Sequence, residues 1–259
     1  MRNSSLTAIA VAAGLGMGCL LPTAPVSAQV PAPAPVVVPA DTELDAMLAA
    51  RNWNGLSAAL QPLQADSIAR VMKWLGAQIR TNGGTFLLDL AYTRDLWLAG
   101  NARKVDDPMQ DMRVTAATMA LYSYAIVLID GSKCDDVTAL TERATLLLRT
   151  NAPIVAFLKA QPSQVQSSAI DVAIALEKKT AAQRKEDDLI CRAGMAQMRA
   201  GLERGTQQEI PNQPGSVGKS IGVTPPADWT PKFAPPEVYK PKQEKARAEM
   251  AVTLRKLIE

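Results

Sequence analysis

From Asp41 to Leu202 the apolar positions recur at spacings of three and four, the period of helices that bury one face. A first such run follows Asp41, an expected N-cap, through "ELDAMLAARNWNGLSAALQ", with Leu44, Leu48, Leu56 and Leu60 apolar and Gly55 dividing it. After a break at Pro62, a second helix is predicted from about Asp66 to Arg80. The turn "TNGG" separates it from a third, capped by Thr85, in which Phe86, Leu90 and Trp97 share a face. Asp107-Pro108 has the form of a helix start, Asp as cap and Pro at the first position.

The fourth helix contains 16 uncharged residues from Val114 to Ile129, bounded by Arg113 and Asp130. A membrane span needs about 20 predominantly apolar residues. This run is shorter and is interrupted by Thr115, Thr118, Ser123 and two tyrosines, so it is expected to be the buried centre of a bundle. Gly131 ends it, and Asp135 or Asp136 caps a fifth helix running to about Arg149. A short sixth begins near Pro153, and Ser163 with Gln166 has capping-box spacing for a seventh. "KKTAAQRKEDD", residues 178–188, looks solvated. Cys191, Met195, Met198 and Leu202 then form an expected inward stripe on the last bundle helix.

Beyond Gly205 the pattern changes. Residues 205–241 contain eight prolines and no helical period, which predicts an extended arm over 206–241. Trp229 and Phe233 are its expected anchors, on the bundle or on a partner, because aromatic rings are costly to leave exposed. An amphipathic helix is predicted over 242–259, with Ala246, Met250, Leu254, Leu257 and Ile258 on one side. It has six basic and three acidic residues from Lys240 onward; docking on the bundle is expected, with peripheral membrane contact as the alternative.

The expectation is therefore an all-α, irregular bundle of about seven or eight helices over 41–205, followed by the arm and the terminal helix. Before it lie a Pro/Ala-rich linker at 29–40 and a leader at 1–28. The leader has Arg2, an apolar run from Leu6 to Leu21 and Val26-Ser27-Ala28, the order of a secretory signal cleaved after Ala28. Cys19 lacks the leucine three residues upstream that a lipoprotein signal would carry. Export places the chain in the bacterial periplasm or outside the cell.

Cleavage removes Arg2 and no acid, leaving 27 Lys+Arg against 25 Asp+Glu. A net charge of +2 gives little attraction for nucleic acid. Only Cys134 and Cys191 then remain, and an oxidising compartment favours joining them in one disulfide across 57 residues. Their spacing is not CxxC, so a redox centre is not expected.

The chain has no histidine, which removes histidine-based catalysis and histidine-ligated metals. "SVGKS", residues 216–220, resembles the end of a phosphate loop, but Gln213 stands where its first glycine belongs. Asp89 and Asp95 lie in an apolar helix beside Arg94, suggesting a buried ion pair or a solvated face. Glu43, Glu142 and Glu177 have the spacing of solvent-facing charges. Asp130, Asp135 and Asp136 flank one cysteine, and Glu186, Asp187 and Asp188 precede the other. A Ca²⁺ site would need such oxygens, but the loop breaks the EF-hand order. Helix capping and pairing with Lys133, Arg143, Arg184, Lys185 or Arg192 is the expected use of these acids.

Catalytic, cofactor-binding and metal-binding residues are accordingly not assigned, and no cofactor is expected. The functional expectation is an exported envelope protein, non-enzymatic, that binds a partner or serves a structural role. The alternatives are a carboxylate-based cell-wall hydrolase and a small-ligand carrier with an interhelical cavity.

Overall fold

A computed structural model describes residues 39–61, 65–103, 105, 107, 110–212 and 218–259. The leader with Cys19, linker residues 29–38, Pro62, Pro108 and residues 213–217 lie outside the described residues. Ten α-helices and one two-stranded sheet are found among the described residues, so the protein is all-α. The helices are α1 (Asp41–Ala49), α2 (Trp53–Ala59), α3 (Ala65–Asn82), α4 (Phe86–Ala102), α5 (Met112–Asp130), α6 (Val137–Thr150), α7 (Ala152–Lys159), α8 (Ser163–Thr180), α9 (Met195–Arg204) and α10 (Pro236–Ile258).

α5 is the central helix, packed by α4, α6, α7, α8 and α10. It is the one described helix long and apolar enough to cross a membrane, yet 67% of its most apolar stretch is buried inside the protein. Ala116, Ala117, Ala120 and Ala125 are buried on it, and such small side chains let neighbouring helices approach closely. A second apolar cluster joins Leu44, Leu56, Leu60, Val71, Trp74 and Leu75 from the first three helices and their loops. α4 belongs to both: Leu88 and Ala91 face this cluster, whereas Phe86 and Leu96 face the main core.

Local signals place most helix ends. Thr85 Oγ1 accepts from Leu88 N–H at 3.4 Å, and Asp136 caps α6 by accepting from Thr138 N–H at 3.0 Å. Pro153 stands in the first turn of α7. α5 is capped by Asp111, which accepts from Arg113 N–H at 2.8 Å. Asp41 is the first residue of α1 rather than its cap and pairs with Arg70; Glu43 supplies the polar contact, accepting from Ala40 N–H at 3.0 Å. The Ser163–Gln166 box does not form: Gln166 Nε2 donates to the Lys159 and Gln161 carbonyls, which close the preceding turn.

Three larger expectations are corrected. Met195, Met198 and Leu202 do not point inward: they are 55%, 47% and 53% exposed, and Cys191 precedes their helix. Ala193 takes a left-handed φ of 72° before Gly194, so the chain re-enters α9 with a different face inward, the face of Ala200 and Gly201. The arm does not run in one direction but folds back on itself. Its first part is a hairpin of β1 (Thr206–Ile210) and β2 (Ser220–Thr224), paired from Thr206↔Thr224 to Ile210↔Ser220. The terminal helix starts at Pro236, six residues before the predicted boundary. Proline is well suited to its first position, and Pro241 costs only one hydrogen bond on an exposed face, where water can satisfy the freed carbonyl.

α10 docks on the bundle, burying Gln243, Met250, Leu254 and Ile258. Phe233 packs against the main core, and its backbone forms an isolated antiparallel bridge with Cys134.

Candidate functional site

Cys134 and Cys191 form the disulfide, with Cα atoms 5.2 Å apart and both residues buried. The bond ties the turn after α5 to the segment before α9, and a groove opens beside it. One wall is α9, through Ala196, Arg199, Ala200 and Glu203. The other is the stretch Trp229-Thr230-Pro231-Lys232, and Asp135, Asp136 and Cys191 complete the lining. The volume is about 270 Å³, room for one or two side chains of a bound chain.

Backbone bonds fix the walls. Asp135 N–H donates to the Lys232 carbonyl at 3.1 Å and Ala234 N–H to the Lys133 carbonyl at 2.7 Å. Asp136 joins the start of α6 to the start of α9: one carboxylate oxygen accepts from Thr138, the other from Ala196 N–H at 2.7 Å. Met195 N–H donates to Thr138 Oγ1 at 2.8 Å. Gly194 is required here, because a Cβ would sit 2.3 Å from Asp136 Oδ2 and 2.8 Å from the Ala139 nitrogen. Burial would raise the Asp136 carboxyl, but hydrogen bonds from Thr138 and Ala196 and the nearby Arg199 charge hold it below the usual range. Trp229 lies over the Arg192 guanidinium, 5.5 Å from charge centre to ring centre. The groove thus combines an aromatic face with the basic Arg199 and Lys232 and the acidic Asp135 and Glu203.

Three of the other acids near the cysteines, Asp130, Asp187 and Asp188, are used by the fold, whereas Glu186 is exposed. Asp130 accepts from Arg184 at 2.6 Å, pairs with Lys133 at 3.1 Å and accepts from Gln243 at 3.2 Å. Arg184 also holds Glu177, which binds Arg247 of α10 at 3.1 Å. Glu177 is 2% exposed, so its expected solvent-facing place is corrected; Glu43 and Glu142 are exposed. Burial opposes the Arg184 charge, but Asp130 and Glu177 more than offset this and raise its pKa. Asp187 accepts from Phe86 N–H at 2.6 Å and Leu189 N–H at 2.9 Å, and Asp188 pairs with Arg51. Among the described residues no three Asp, Glu, Cys or His side chains converge on a point that could hold a metal ion.

Asp95 is fully buried and paired with Arg94 at 2.8 Å. Asp89 is 1% exposed and neither of its carboxylate oxygens has a hydrogen-bond partner. Burial first, and then the Asp187 and Asp130 charges, push its carboxyl well above the ordinary range, against the opposing pull of Arg184. An unfolded aspartate titrates near pH 4. Above that, the unfolded chain loses a proton that folded Asp89 keeps, so stability falls as pH rises towards the elevated value, by at most about 1.4 kcal/mol per pH unit. Asp89→Asn is expected to remove this slope. Urea midpoints at about pH 4.5 and pH 7 should move in the variant's favour at the higher pH; parallel shifts in both proteins would contradict the burial of an ionisable group at this position.

The fold and groove define a class: an all-α, disulfide-tied bundle with a mixed-polarity surface cleft. No known family model, curated protein or solved structure matches the chain.

Proposed function

We propose that this is an exported, non-enzymatic envelope protein that binds a protein partner through the groove between α9 and Trp229–Lys232. The observation that carries the reading is the groove itself, with an aromatic wall and charges of both signs at backbone-fixed positions. An extended segment with one apolar or aromatic side chain, flanked by polar groups, matches that lining. Asp89, Asp95 and Asp187, the carboxylates that burial raises, do not line it, and the hydrogen bonds that Asp136 accepts from Thr138 and Ala196 hold its carboxyl below the usual range. The leader and the disulfide both suit an oxidising compartment outside the cytoplasm.

Because α10 is part of the core, point substitutions rather than truncation of the arm provide the test. A photo-crosslinking residue at Glu203 is expected to yield a specific adduct in intact cells, lost when Trp229→Ala is added. The same residue at Val172, exposed on α8, should yield none. Equal labelling at both positions, or none at Glu203, would remove the groove from consideration. The exported form should begin at Gln29, which mass spectrometry of the intact protein checks.

A further inference from the structure

The hairpin carries an open edge. β1 is exposed at all five positions, whereas β2 is half-buried at Ser220, Gly222 and Val223. The Val223 side chain lies against Gly201 of α9, so β2 is the covered strand and β1 the outer one. Among the described residues the sheet has only these two strands, which leaves the outer N–H and C=O groups of β1 unpaired. A two-stranded ribbon alone is marginally stable in water; this one is supported by α9, which packs against it and leaves the outer edge of β1 open. Proteins ordinarily blunt a free edge with lysine, proline, a bulge or a covering element. β1, Thr206-Gln207-Gln208-Glu209-Ile210, is short and carries one charge, Glu209, but it has neither lysine nor proline, and its register with β2 runs without a bulge.

We propose that β1 pairs antiparallel with β1 of a second copy, centred on Gln208, to make a four-stranded sheet across a two-fold axis. This register is self-complementary. Gln207, whose Nε2 also donates to the Leu202 carbonyl of its own chain at 3.4 Å, stands opposite Glu209 of the second copy, twice by symmetry, so that its second amide hydrogen meets a carboxylate at each position. The two Gln208 amides donate to and accept from one another, and Thr206 faces Ile210. Glu209 is also met by Lys219 of its own hairpin at 2.9 Å, so the edge carries no uncompensated charge. Moving the centre to Glu209 would oppose two carboxylates, and like charges directly opposite are destabilising. The Gln208-centred register is therefore favoured over the Glu209-centred one.

Sedimentation equilibrium of the purified protein tests the pairing. Dimerisation is expected, with the Kd raised roughly tenfold by Gln207→Glu, which opposes Glu209, and lowered by Gln207→Lys, which attracts it. Gln207 is exposed, so unchanged circular dichroism should accompany both substitutions. Hydrogen exchange of the unsubstituted protein gives a second reading: β1 amides should become protected as concentration rises. A monomer at every concentration, or a dimer moved equally by both charges, would overturn the proposal. So would a β1 edge protected only when another protein is added, which would assign it to a foreign strand.

Discussion

Arg184→Ala is expected to destabilise the protein by about 3–5 kcal/mol, the usual result of removing one partner from a buried ion pair. The Arg184 side chain is 4% exposed, and its partners Asp130 and Glu177 are 7% and 3% exposed. The guanidinium also donates to the Glu177 carbonyl and to Thr180 Oγ1, each at 2.9 Å. Alanine therefore leaves two buried carboxylates, a carbonyl and a hydroxyl short of a donor. Lys133 and Gln243 still serve Asp130, and Arg247 still serves Glu177, which places the effect nearer the lower end. Arg184→Lys should recover only part of the loss, because an ammonium cannot span acceptors as the planar fork does. Urea denaturation measures both, and a loss below about 1 kcal/mol for alanine would mean that the remaining bases carry the cluster.

Opening the disulfide is the second large effect. Closing a loop of 57 residues restricts the unfolded chain by about 4 kcal/mol in the chain-entropy account. Cys134→Ser with Cys191→Ser, or reduction of the native protein, should lower Tm by on the order of 10 °C for a chain of this size. The loss should also be local. Cys191 lies just before α9, so hydrogen exchange in α9 and around Asp135 should accelerate more than in α5. An unchanged Tm in reductant would show that the bond does not constrain the fold.

Strongly periodic segments made much of the bundle legible. The apolar run of α5 could only be a buried helix or a span, and its length and hydroxyls separated the two. Two remaining cysteines in a chain with an export-type leader pointed to one bond, which the structure contains. The orientation of α9 was not legible, because nothing in "CRAGM" announces that Ala193 adopts a left-handed conformation, and that single turn resets which residues face inward. β1 and β2 escaped notice for another reason: "TQQEI" and "SIGVT" lack the strict alternation of a half-buried strand, since β1 buries neither face. The charge cluster was hidden by composition. "KKTAAQRKEDD" looks solvated until its Arg184 meets an aspartate 54 residues upstream, and Glu177 meets Arg247 70 residues downstream. The groove followed the same rule: Trp229 was expected to anchor the arm, but its position opposite Glu203 depends on the turn at Ala193.

α10 has a consequence for the order in which the chain can mature. Met250, Leu254 and Ile258 of this helix belong to the main core, Gln243 reaches Asp130, and Arg247 reaches Glu177. These contacts join residues 70 to 113 positions apart, so most of the chain must be present before they can form. A chain in which α10 has not docked has an apolar surface without its cover and two interior acids each missing a partner. The native core is therefore completed only once α10 is in place, late in the assembly of the bundle.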